Sequence, residues 1–308
     1  MTPQQRSRLQ LVAAAVCFST AGAALKACSL DGWDVTSFRA AIAGITVLAL
    51  VPSARHGLSR RAAVVAVPYA ATAILFVLAN KMTTAASTIF LQSTSPLYIA
   101  LLGPLLLHEK TRRRDLVYMG VLAAGLALVF LGVDPPARTS PQPLQGNVLA
   151  VLCGFTVAVM MMGLRWLARV GAAESAAPGA VVLGNVLTFA VTLPFAWPIG
   201  PARTPDWLIL GYLGVFQIGV GYALMVAGLR HVPVLEATLL MFIEPVLSPA
   251  WAWLVHGERP GPWVLVGGAV ILGATAVSMW ANARFRDIAV PQADTHSPRA
   301  IRVQSPGD

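Results

Sequence analysis

Ten predominantly apolar stretches recur along this chain, each about as long as the 20 residues a helix needs to cross roughly 30 Å of bilayer hydrocarbon. They fall near residues 9–27, 35–52, 62–80, 84–107, 116–133, 147–168, 176–197, 207–229, 232–256 and 262–281. The segments between them are short and hold most of the Lys, Arg, Asp and Pro. Hydrocarbon offers backbone groups no water to bond with, so such stretches fold as helices. The expected fold is an all-α integral membrane protein with ten transmembrane helices. Composition decides against a soluble alternative. Of 308 residues, 56% are hydrophobic and 11% are charged, and the mean hydropathy is +0.70. A soluble domain carries about 25% charged residues, so a soluble fold of this length could not cover its surface with polar groups.

The net charge of +9 would suggest a nucleic-acid surface in a soluble chain, but no basic stripe is interleaved with aromatics and no nucleic-acid partner is expected. Cytoplasmic loops of membrane proteins carry excess Lys and Arg. With the N-terminus in the cytoplasm, sixteen Lys and Arg fall on or next to that side, and five (Lys26, Lys81, Arg138, Arg203 and Arg259) on or next to the outer side, with Arg39 alone well inside a span. That asymmetry supports both the span count and the sidedness; the expected location is a cell inner membrane, multi-pass, with both termini cytoplasmic. Arg6 and Arg8 before an apolar run resemble a signal peptide, but the many spans that follow point to an uncleaved first helix. Cys17, Cys28 and Cys153 have neither the number nor the spacing of a disulfide framework or zinc site.

The chain also repeats itself. Residues 80–109 shifted by 149 meet 229–258 without a gap: Leu91 falls on Leu240, Pro96 on Pro245, Leu105 on Leu254, Glu109 on Glu258 and Lys110 on Arg259. One deletion later, Gly120 and Gly125 fall on Gly268 and Gly273. Each half holds five spans, an odd number, so the halves enter the membrane in opposite directions, an arrangement that secondary transporters use. The expected units are a first five-helix repeat over 9–133, a second over 147–281, and a disordered cytoplasmic tail over 282–308.

These features resemble the EamA family of the drug/metabolite transporter superfamily. The resemblance rests on SPLYIALLGPLLLHEK (95–110) and EPVLSPAWAWLVHGER (244–259), on the glycine pairs after them, and on Phe38-Arg39 near the start of the second span. Phe18-Ser19-Thr20 stands where the family more often has a Trp-Gly pair, a departure that bears on the substrate. The resemblance implies two inverted five-helix halves and movement of small metabolites, often amino acids, through a central cavity by alternating access.

Ionisable groups inside a membrane are costly, which makes them functional candidates. Of 13 acidic residues, only Glu236 and Glu244 fall within the expected spans. Glu236 can reach the interface. Glu244 lies eight residues deeper, about 12 Å along a helix, and Pro245 after it frees carbonyls in the preceding turn. Glu244 can hold a substrate ammonium group or a coupling proton, or it can brace a helix kink. Gln217 and Gln92 also lie near mid-membrane, where they can read a substrate or bond between helices. Ser19, Tyr69 and Tyr222 complete the candidate binding set, with Thr20, Tyr98 and Asn185 weaker. Arg39, about a turn and a half inside its span, can snorkel to the interface, pair with Asp34, or meet a substrate anion. Arg39, Glu244, Pro96 and Pro245 are the candidates for coupling or gating. Glu109 and Glu258, at helix ends on opposite faces, are expected to fix loops or gates.

The expected function is therefore secondary transport of small organic metabolites, with export of amino acids or related metabolites first and broad drug efflux as the alternative. A proton or counter-solute is the expected energy source, because the chain has no GxxxxGK[ST] phosphate loop. Neither cofactor nor metal is expected. A membrane-embedded enzyme or a scaffold is the rival class. The histidines sit at loops or helix ends, and there is no GxSxG motif, which leaves little for an enzyme to use.

Overall fold

In the computed structural model, which describes residues 1–106, 113–169, 175–229 and 231–289, every regular element is a helix. In chain order these are α1 (Pro3–Ser19), α2 (Ala21–Ala27), α3 (Gly32–Leu50), α4 (Pro52–His56), α5 (Arg60–Met82), α6 (Ala85–Gln92), α7 (Ser95–Leu106), α8 (Arg113–Leu131), α9 (Pro143–Arg169), α10 (Ala176–Thr192) and α11 (Thr204–Tyr212). A π-helical segment (Leu213–Val220) then joins α11 to α12 (Gly221–Gly228), followed by α13 (Val234–Met241), α14 (Ile243–His256) and α15 (Pro262–Ala289). Among the described residues, eight helical segments are long and apolar enough to cross a membrane, and Leu116–Leu131 and Ala176–Thr192 are shorter apolar helices.

The helices begin where side chains satisfy the amides that a first turn leaves open. Thr2 and Gln5 form a reciprocal capping box at α1. Asp31 accepts from the amides of Trp33 and Asp34 at 2.7 and 2.9 Å, Ser59 from Ala62 at 3.1 Å, and Thr84 from Ser87 at 3.1 Å. Gly257, at φ 66°, ends α14 in the left-handed conformation, which glycine adopts at least cost.

Two helices break in matching places. Ser93 and Thr94 separate α6 from α7, and Phe242 separates α13 from α14. Pro96 and Pro245 each sit in the first turn of the segment after the break, where a missing amide costs nothing, while the carbonyl four residues earlier loses its usual donor. The final helix corrects the expected tail: α15 runs to Ala289 rather than ending at 281, so the first eight residues of that segment are helical. Glu109, Lys110 and Arg230 lie outside the described residues.

Packing places α5 between α9 and α10, α3 against α10 and the π segment, α1 against α12 and α14, and α8 against α15. A Cβ added at Gly214 or Gly219 would run into Ile42 or Thr46 of α3, so these glycines let the π segment lie directly on α3. Large apolar residues face outward on many helices, among them Val64, Leu131, Phe195, Leu254 and Val277. Lipid is the solvent that suits such a surface.

Candidate functional site

Six side chains singled out from the sequence meet around one cavity of about 200 Å³: Arg39 of α3, Tyr69 of α5, Gln92 of α6, Gln217 of the π segment, Tyr222 of α12 and Glu244 of α14. Phe18, Thr72, Ala73, Phe76, Met160 and Ile218 complete its wall. The α5 contribution was available from the sequence, since 69, 72, 73 and 76 follow the i, i+3, i+4, i+7 spacing of one helix face. Met160 and Phe18 carry no such signal; they are there because α9 and α1 pack beside α5 and α14.

Arg39 departs from the structural roles the sequence allowed it. It neither snorkels nor pairs with Asp34. It is 6% exposed, and its Nη2 donates to Gln217 Oε1 at 2.8 Å. The reason is the Asp31 cap, which starts α3 at Gly32 and puts Arg39 seven residues, about 10 Å, along the helix. The guanidinium lies 5.9 Å from the centre of the Phe76 ring, within cation–π range. Its Nε is buried without a hydrogen-bond partner, and among the described residues no carboxylate pairs with it. A π segment commonly marks a functional position, and here it carries Gln217, the one side chain that Arg39 bonds.

Glu244 stands in the first turn of α14, beside the break and on the same cavity. Among the described residues it makes no hydrogen bond or ion pair, so the helix-brace role has no contact to support it. The cavity therefore holds a guanidinium without a carboxylate and a carboxylate without a cation, not within ion-pair distance of each other. Gln217 spends its carbonyl on Arg39 and keeps its amide protons. Gln92 accepts a weak bond from Cys153 Sγ at 3.7 Å. Phe18, Phe76 and the two tyrosine rings supply apolar surface to the same cavity.

Other candidates fall elsewhere. Ser19 is fully buried, donates to Val16 O at 2.7 Å and accepts from Trp251 Nε1 at 2.9 Å; it ties α1 to α14 and is not on the cavity wall. Glu236 is ion-paired with Arg8 at the surface. Glu258 is buried and bonded to backbone and to Lys26. No local pattern marks Lys26 as its partner, because the two are 232 positions apart.

Membrane-length helices packed around a polar cavity at mid-helix depth define a solute transporter. The chain belongs to the EamA-like transporter family, whose model matches residues 6–131 and 144–280. It is 25% identical over 208 residues to an uncharacterised transporter of Archaeoglobus fulgidus, covering 67% of this chain and 72% of that one. It is 26% identical over 192 residues to the aromatic amino acid exporter YddG of Ancylobacter novellus, covering 59% of this chain and 63% of the exporter. In fold it matches a crystal structure at TM-score 0.60, with 21% identity, over 90% of this chain and 97% of that one.

Proposed function

We propose that the protein is a secondary transporter that exports amino acids or closely related zwitterionic metabolites by alternating access. The observation that carries the reading is the dipolar cavity: Arg39 and Glu244, neither with an ion-pair partner among the described residues, line it together with Phe18, Phe76, Tyr69 and Tyr222. A buried charge is tolerated when a partner neutralises it. A zwitterion supplies both partners at once, its carboxylate to Arg39 and its ammonium to Glu244, with the side chain against Phe18 and Phe76. Pockets for drug-sized ligands run to about 300–1,000 Å³; a cavity of about 200 Å³ suits a single small metabolite and weighs against broad drug efflux. The similarity to an aromatic amino acid exporter supports the same substrate class.

In this reading ten helices form two inverted five-helix repeats in the cell inner membrane, with both termini cytoplasmic. The charge asymmetry, the matched breaks before Pro96 and Pro245, and the 149-residue register support it. Glu244 serves as the coupling site, holding a proton when no ammonium group is present. The test is thermal unfolding of the purified protein in detergent across amino acids, nucleosides, sugars and cationic drugs. A ligand at 100 times its Kd stabilises by about 2.7 kcal/mol. Stabilisation by amino acids that is lost in Arg39→Gln and in Glu244→Gln is expected. Stabilisation by cationic drugs alone, or by nothing, would overturn the reading.

A further inference from the structure

Asn185 of α10 does not line the cavity, yet it determines what the cavity presents. Its Nδ2 donates to Val181 O at 2.9 Å and lies 3.0 Å from Tyr69 Oη. The first contact fixes the orientation of the amide, because a carbonyl oxygen can only accept and must therefore face the nitrogen and not Oδ1. The second contact then has one possible polarity. An amide nitrogen has no lone pair to offer, so the Tyr69 oxygen accepts. The phenolic proton is left without an acceptor among the described residues, on a side chain that lines the cavity within electrostatic reach of Arg39.

Two further observations show that this arrangement is built. Gly184, the residue before Asn185, leaves room for the Tyr69 ring: a Cβ there would lie 2.7 Å from Tyr69 Cγ. Asn185 Oδ1 is itself buried with no partner. A buried unpaired acceptor costs about 1–3 kcal/mol, which an apolar residue at 185 would avoid. Local rules are broken in this way where function requires it.

We propose that Asn185 is a positioning residue, holding Tyr69 as an obligate hydrogen-bond donor that joins Arg39 in binding the carboxylate of the solute. This rests on the zwitterion reading above and deepens it, by adding the Tyr69 hydroxyl, held by Asn185, to Arg39 as the groups that receive the anionic end of the solute. Tyr69 and Arg39 are the contacting groups; Asn185 acts through Tyr69.

The experiment measures binding of L-phenylalanine and of 2-phenylethylamine, which keeps the ammonium group but has neither a carboxylate nor any other oxygen acceptor, to the full-length protein in detergent. Wild type is compared with Tyr69→Phe, Asn185→Leu and the double variant. Loss of a hydrogen bond to a charged group weakens binding roughly 10- to 100-fold. Tyr69→Phe, which keeps the ring packed, is expected to weaken L-phenylalanine by that factor and to leave the amine unchanged. Asn185→Leu is expected to do the same to a smaller extent. The double variant is expected to match Tyr69→Phe alone, a non-additivity that a merely structural role for Asn185 would not produce. Unchanged L-phenylalanine binding in Tyr69→Phe, or additive losses in the double variant, overturns this inference and leaves the zwitterion reading standing. Wild-type protein that binds neither probe overturns both.

Discussion

Replacing Glu258 by glutamine is expected to destabilise the protein strongly, although the site is remote from the cavity. The side chains of Lys26 and Glu258 are 2% and 3% exposed. Lys26 Nζ directs its three protons at the carbonyls of Asn80 (2.8 Å), Thr83 (2.7 Å) and Thr139 (2.5 Å). None is left for Glu258 Oε2, which faces the ammonium at 3.2 Å as a counter-charge and has no hydrogen bond of its own. Glu258 Oε1 accepts from the Ala85 amide at 2.6 Å. Glutamine can keep that last bond but removes the counter-charge, leaving an ammonium buried and uncompensated. Breaking a buried pair from one side costs about 3–5 kcal/mol. At about 2–4 °C per kcal/mol, the melting temperature should fall by roughly 6–20 °C. Lys26→Met should cost at least as much, since three carbonyls lose a donor and Glu258 is left charged. The double variant Lys26→Met/Glu258→Gln is neutral at both positions and should lose less than the sum of the singles, with a coupling of about 0.5–3 kcal/mol. The assay is thermal unfolding of the four proteins in one detergent. A Glu258→Gln protein that melts within a degree or two of wild type, or a strictly additive double variant, would refute the reasoning.

Two further outcomes are expected. Arg39→Lys keeps the charge but loses the planar fork that reaches Gln217, so amino acid binding should weaken at least roughly tenfold with the melting temperature of the empty protein little changed; calorimetric titration reads the first and thermal unfolding the second. Gly179→Ala should destabilise by about 1–3 kcal/mol, because a Cβ on Gly179 would lie 2.7 Å from the Gly57 Cα, with backbone on both sides of the contact; a wild-type melting curve would contradict this.

Much of the architecture could be read from the chain because lipid imposes a simple rule on sequence. Apolar length marks the helices, and proline marks the interruptions, as the breaks before Pro96 and Pro245 show. The depth of Arg39 is hidden for a local reason: Asp34 reads as a loop carboxylate, whereas Asp31 caps a helix that starts three residues before the apolar run. Cavity residues are legible where the chemistry is unusual for a span, as with Glu244, Gln217, Gln92 and Tyr69, whereas Thr72 and Phe76 carry only the weaker signal of sharing one face of α5 with Tyr69. Ser19 was misplaced because a small hydroxyl serves equally well as a ligand or as a tie between helices, and its bond to Trp251 decides for the tie. The Lys26–Glu258 pair and the Asn185–Tyr69 contact span 232 and 116 positions. Such partners depend on which helix faces meet, and no local pattern carries that information.

The most direct test of the central claim is transport of radiolabelled L-phenylalanine by wild-type and Glu244→Gln protein in proteoliposomes, with insertion of both checked by protease protection. The dipolar-cavity account predicts saturable transport by wild type and its loss in the variant, with insertion intact. Wild-type rates in Glu244→Gln would contradict the account and remove Glu244 from both substrate binding and coupling.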